Sequence, residues 1–283
     1  MASSERGNGG STALFWVLAI ALTLAAVVYQ RLIGPTRPAR GRVTVESSEI
    51  RYNLARSHGG SDDHLVAIQT PDESLSGYIL YKRYKTADPW SRQEMVLGDG
   101  CLVGSLPHQP TAGKLVYRVY LCGSGDPVAL PPSGPTVIRF RGGVPGAVLI
   151  PHVILIFLAM LWSNRAGIEA LRSRGDPRRL ALWTLGLLIL GGLVCGPAVQ
   201  WYSFGKAWTG FPYGHDLTDN KTLIAVLAWI AAVIISRRSR RYARAWVLGA
   251  AIVTLIVFSI PHSVLGTELD YSQLPEVPPP SGH

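Results

Sequence analysis

Leu180-Ala181-Leu182-Trp183-Thr184-Leu185-Gly186-Leu187-Leu188-Ile189-Leu190-Gly191-Gly192-Leu193-Val194-Cys195-Gly196-Pro197-Ala198-Val199-Gln200-Trp201-Tyr202 carries no charged side chain from end to end. A helix needs roughly 20 such residues to cross the hydrocarbon core of a bilayer. Four other runs have similar length and character, at about 12–33, 144–162, 217–235 and 245–264. Five spans are therefore expected. Between the second and third lie Arg165, Arg172, Arg174, Arg178 and Arg179, and between the fourth and fifth lie Arg237, Arg238, Arg240, Arg241 and Arg244. Basic segments of this kind stay on the cytoplasmic side. They put the amino terminus inside, and residues 34–143, residues 203–216 and the carboxyl terminus outside. The acidic tail, with Glu268, Asp270 and Glu276, agrees. Arg31, Arg37, Arg40 and Arg42 run against the rule, but two segments of five arginines outweigh them.

Composition supports this partition. Of 283 residues 48% are hydrophobic and 16% charged, against about 25% charged in an average soluble domain. The formal charge of +9 does not indicate a nucleic-acid partner, because the arginines gather beside the spans, where anionic lipid headgroups are the natural contact. The first run is longer than the 7–15-residue core of a cleaved signal peptide and reads as a signal anchor over residues 1–34. The location that follows is a bacterial-type inner (plasma) membrane.

Residues 35–143 change character. Short runs rich in Val, Ile and Tyr, at 43–46, 49–54, 64–69, 77–84, 94–103, 114–122 and 136–140, are separated by Gly, Pro, Asp and Ser. About seven short strands with turn signals between them read as an antiparallel sandwich. The fold class expected is thus a multi-pass α-helical membrane protein of five spans with an extracytoplasmic all-β sandwich domain. A four-helix membrane domain would cover residues 144–266, and a proline-rich disordered tail residues 267–283.

Trp90, Leu106-Pro107 and Tyr117-Arg118-Val119 on a late strand resemble the pattern of a fibronectin type III or immunoglobulin-like module. The chain departs from it by inserting His108-Gln109-Pro110-Thr111-Ala112-Gly113-Lys114. The resemblance covers about a third of the chain and implies a β-sandwich; such a fold does not by itself fix a function.

Cys101 and Cys122 are the two cysteines of this region. An oxidising outer compartment permits a disulfide between them, closing a loop of about 20 residues worth roughly 3 kcal/mol. Two free thiols are the alternative. Cys195, amid glycines in the third span, reads as a small packing residue. His58 and His64 flank Gly59-Gly60-Ser61-Asp62-Asp63, a solvated hairpin loop by its composition.

Ionisable groups at membrane depth are candidates for function. His152 follows Pro151 in the second span, His262 follows Pro261 at the end of the fifth, and His215 lies in the loop before the fourth. Imidazoles so placed suit Zn, Cu or haem iron. The apolar part of the fourth span, Thr222 to Ile235, covers only roughly 21 Å, so Asp219, Asn220 and Lys221 dip into the outer leaflet. Asp216 or Thr218 reads as the helix cap, a buried Asp219–Lys221 or Asp219–Arg pair is a structural alternative, and Glu268 is a further carboxylate for the cluster. Counting along the helices sets His152 lower than His262 unless the second span is tilted, kinked, or continues past Arg165.

The sequence therefore supports an envelope protein whose sandwich binds another envelope protein, with a polar cluster at the outer mouth of its helices. A metal- or haem-dependent enzyme or redox protein built on His152, His215 and His262 is the alternative, and a small transporter a third reading. No Walker loop, dinucleotide fingerprint, nucleophile elbow, Cys-x-x-Cys or His-Glu-x-x-His occurs.

Overall fold

In the computed structural model, residues 6–71, 73–261 and 268–273 are described, with side chains from Thr12 onward. Contacts divide the chain into a helical unit, Met1–Pro35 with Val144–Gly266, and a β unit, Thr36–Gly143 with Thr267–His283.

Among the described residues five helices are long and apolar enough to cross a membrane: Thr12–Ile33, Gly146–Leu171, Arg178–Phe204, Leu217–Arg238 and Arg240–Ser259. The first belongs to α1 (Arg6–Ile33), the second is α2, and the last two are α5 and α6. The third is composite: α3 (Arg178–Leu188), a π-helical turn (Ile189–Cys195) and α4 (Gly196–Phe204). Pro197 has no N–H to give the preceding turn, which accounts for a break in the α-pattern just before it. Alanines, valines, Met160, Leu188, Trp229 and Phe258 form the buried core of the unit, and Trp229 donates its indole N–H to Thr254 at 2.7 Å. Small residues let the helices approach: a Cβ on Gly167 would sit 2.9 Å from that of Ala251, on α6.

The arginines expected in loops are largely in helices. α2 runs past Arg165 to Leu171, one of the conditions named for His152 to reach the depth of His262, which itself lies outside the described residues; a single residue, Ser239, separates α5 from α6. Arg165 is buried and pairs with Glu169 at 2.8 Å, which also holds Arg172 at 2.9 Å. The guanidiniums of Arg165 and Arg172 lie 5.6 and 4.9 Å from the ring of Phe15 on α1. Arg244 donates to the carbonyls of Ala170, Leu171 and Ser173, closing the orphan end of α2. Arg165 and Arg244 are therefore packing residues first.

Among the described residues the β unit has eleven strands. A hairpin pairs β1 (Ala39–Val45) with β2 (Ser48–Leu54). A second sheet orders β3 (Ser57–Gly59), β11 (Thr136–Arg141), β9 (Lys114–Cys122), β5 (Ser76–Arg83) and β6 (Ser91–Glu94), with β10 (Val128–Leu130) also on β9. A third orders β4 (His64–Gln69), β8 (Cys101–Leu106) and β7 (Val96–Gly98). Among the described residues all pairings are antiparallel except β3 with β11. The single strand expected at 94–103 is broken by Asp99-Gly100, both at positive φ, the two-residue turn that joins β7 to β8.

One hydrophobic core unites the three sheets. Along β9 burial alternates, with Leu115, Tyr117, Val119 and Leu121 inward. Tyr117 donates its hydroxyl to the Ala55 carbonyl at 2.8 Å; Trp90 is 46% exposed.

The expected disulfide is absent: Cys101 and Cys122 are both free. The reason is the pleat. Leu102 on β8 and Leu121 on β9 both point into the core, where each lies 3.4 Å from an ideal Cβ on Gly77. The adjacent cysteines therefore face away from the core on different sheets. Packed sheets stand about 10 Å apart, beyond the Cα separation of about 7 Å that a disulfide tolerates.

The tail is also corrected in part. Residues 268–273 lie against the β unit: Leu269 donates its N–H to the Ala112 carbonyl at 3.2 Å, and Tyr271 is buried. Residues 274–283 lie outside the described residues.

Candidate functional site

At the start of α5 the sequence places Asp216, Asp219, Asn220 and Lys221 within two turns. Asp216 is the N-cap, accepting from the Thr218 N–H at 2.8 Å, as such a residue should. Asp219 faces the preceding loop. Its Oδ2 accepts from the N–H groups of Thr209 at 2.6 Å and Gly210 at 3.0 Å, and from the Thr209 hydroxyl at 3.3 Å. Asn220 Oδ1 takes the Phe211 N–H at 2.7 Å, and Gln200 on α4 donates to the Thr209 hydroxyl at 2.6 Å. Gly210 is required by the close approach: a Cβ there would meet that of Asp219 at 2.6 Å and Asn220 Oδ1 at 2.8 Å. The two side chains thus clamp residues 205–216 onto the helix end.

Lys221 points elsewhere. Two residues apart on a helix, it and Asp219 lie on different faces, and among the described residues they form no ion pair. Lys221 is 2% exposed, and its ammonium donates to the Ile260 carbonyl at 2.7 Å. Gln30 on α1 donates to the carbonyls of Phe258 and Ile260 at 2.7 and 3.2 Å. These are carbonyls that α6 leaves unbonded at its C-terminal end, before Pro261. A cation suits the negative end of the helix. Lys221 and Gln30 are therefore a tertiary cap, which sequence reasoning missed because the acceptor is a backbone carbonyl 39 residues away.

His152 donates from Nδ1 to the Gly191 carbonyl, at 2.9 Å, in the π turn. Gly191 is needed for this contact: a Cβ would stand 2.9 Å from that of Leu155 and 3.2 Å from the Ile156 nitrogen. The bond fixes the neutral tautomer with Nε2 bare. His152 also borders a cavity of about 110 Å³ with Gln30, Met160 and Phe258. That volume holds a few water molecules, at about 30 Å³ each. Cofactor pockets run to about 300–1,000 Å³, so the cavity does not fit haem. His215 is exposed on the loop, and His262 lies outside the described residues. Among the described residues no three His, Cys, Asp or Glu side chains converge as a metal site.

Glu268 belongs to the β unit, where it pairs with Lys85 and Lys114. Burial pushes its carboxyl up, but hydrogen bonds and charge from the two lysines outweigh this and hold it below the ordinary value. With Arg83, Tyr84 and Tyr271 these residues line a groove of about 520 Å³, whose one wall is the tail. Arg83 makes a bidentate pair with Asp88, at 2.6 and 2.9 Å, and its guanidinium lies 5.2 Å from the Tyr271 ring.

Compared with protein-family models, curated proteins and solved structures, the chain matches none.

Proposed function

We propose that the chain is an integral membrane protein of the cell envelope. Its five helices anchor it, and its β unit, on the extracytoplasmic side, binds another envelope protein. The observation that carries this reading is how differently polar groups are used in the two units. In the helical unit Asp219, Asn220, Lys221, Gln30 and His152 are each bonded to the unit's own backbone. In the β unit, where the sequence resembles a fibronectin type III or immunoglobulin-like module, cations and tyrosines ring an open groove. The lysines are already matched by Glu268 and Arg83 by Asp88, so the walls suit a partner whose polar groups exchange with these ion pairs rather than meet an unpaired charge. Anionic lipid is the expected contact of Arg174, Arg178 and Arg240 at the cytoplasmic helix ends.

Two measurements test this. Cysteines replacing Ser173 and Ser239 should resist an impermeant thiol reagent in intact cells, while one replacing the exposed Lys206 should react. The opposite pattern inverts the orientation. A photoreactive amino acid replacing Ala87, at the groove, should crosslink to a distinct membrane or periplasmic protein, and Lys85→Glu should abolish the adduct. If no adduct forms, or the adduct persists with Lys85→Glu, the assignment of the groove is wrong.

A further inference from the structure

His58 and His64 are the two ends of the loop Gly59-Gly60-Ser61-Asp62-Asp63. β3 holds His58 beside Phe140 of β11 by parallel pairing, and β4 holds His64 opposite Leu106 of β8. Two different sheets thus bring the imidazoles together. Their Nδ1 atoms face one another at 3.2 Å, with ring centroids 4.9 Å apart and planes inclined by 58°.

The tautomer of His58 follows from its other nitrogen. Nε2 lies 2.9 Å from the Asp62 carbonyl, which only accepts, so Nε2 carries the proton. In the neutral ring Nδ1 is then a bare lone pair, aimed at His64. Histidines that ligate metals are oriented in this way, by donating the distal N–H to a carbonyl or carboxylate. The separation fits as well. With metal–nitrogen bonds of 2.0–2.1 Å at tetrahedral angles, two ligating nitrogens stand about 3.3–3.4 Å apart. Neighbouring contacts hold the pair in place. Phe140 and the His58 ring pack in a T-shaped arrangement, with centroids 5.5 Å apart. Gly60, at φ +116°, turns the loop so that its N–H reaches the Arg141 carbonyl at 3.2 Å. Asp63 Oδ1 accepts from the His108 N–H at 2.8 Å.

We propose that His58 Nδ1 and His64 Nδ1 are the protein ligands of a divalent transition-metal ion that favours imidazole, Zn²⁺ or Cu²⁺. Water completes the coordination, since among the described residues no third His, Cys, Asp or Glu side chain joins the pair. The site lies in the β unit, whereas His152 and His215 belong to the helical unit, and it does not depend on the orientation of the chain. Without metal, the same two nitrogens share one proton in an N–H···N hydrogen bond.

The test uses the full chain, free of any affinity tag, in detergent and stripped by chelator. Titration with Zn²⁺ should show one equivalent bound. His58→Ala and His64→Ala should each weaken it about tenfold or more, and His108→Ala and His215→Ala should not. Cu²⁺ added to the unaltered protein should give an electron paramagnetic resonance spectrum with coupling to two nitrogens, a readout that does not rely on a variant folding. No stoichiometric binding, or binding that survives both His58→Ala and His64→Ala, would leave only the hydrogen-bonded pair and overturn the proposal.

Discussion

Replacing Asp219 by Ala should open the loop before α5. In the structure one carboxyl oxygen holds two backbone N–H groups, Thr209 at 2.6 Å and Gly210 at 3.0 Å. A hydrogen bond to a charged group contributes roughly 1.5–3 kcal/mol, and a stranded buried donor costs about as much. Taking the low end for each of the two bonds gives about 3 kcal/mol. Since 1.4 kcal/mol is a factor of ten, the open population of the loop should rise about 100-fold. Trypsin reports this directly. Lys206 is exposed in the clamped loop, and cleavage after it tracks the open fraction when reclosing outpaces proteolysis. In detergent, Asp219→Ala should be cut about 100 times faster than the parent. Asp219→Asn keeps an acceptor in place but loses the charge, so about a tenfold increase is expected. If Asp219→Ala is cut within threefold of the parent rate, the carboxyl group is not what fastens the loop.

The tail is held by Tyr271, whose hydroxyl accepts from the Lys114 N–H at 2.8 Å. Burial raises its pKa to about 12. A folded-state pKa raised above the unfolded value of about 10 means stability that is full below about pH 10 and lost as pH rises toward 12. Peptide-level hydrogen exchange at residues 268–273 should show the docked segment loosening in that window, and Tyr271→Phe should loosen it already at pH 8 and remove the pH dependence. An alkaline loosening that persists in Tyr271→Phe would assign it to another group. Cys101 and Cys122 should both be recovered as thiols that alkylate without reductant once the protein is unfolded; a joined peptide would contradict the strand alternation that separates them.

Much of the architecture is legible in composition alone, because a 20-residue apolar run has few places to go except a bilayer. The ends of the helices are not. Arg165 looks like a loop residue until Glu169 and Arg172 are noticed at the spacings that bring side chains together on a helix. The fate of the cysteines was readable too. Leu102 follows Cys101 and Leu121 precedes Cys122, and strict alternation sends both sulfurs out once the leucines go in. The Asp99-Gly100 turn carried its own signal as well. Of the candidate site, a cap at Asp216 or Thr218 was legible from local chemistry, and the structure chooses Asp216. Lys221 on Ile260, His152 on Gly191 and His58 beside His64 were not, because each depends on packing between segments distant in the chain or on pairing between sheets, and backbone acceptors leave no trace in a sequence.

The groove also has a consequence for biosynthesis. Its wall at residues 268–272 follows all five apolar helices in chain order, whereas its other residues precede four of them. During translation the strands can pair and bury their core long before that wall exists. Until then the Lys114 N–H and the Ala112 carbonyl, which Tyr271 and Leu269 finally satisfy, remain open to water or to another chain. Completion of the groove is thus a late event, and a ribosome that stops before residue 268 leaves the β unit without that wall. Any partner that reads that wall would distinguish finished chains from interrupted ones.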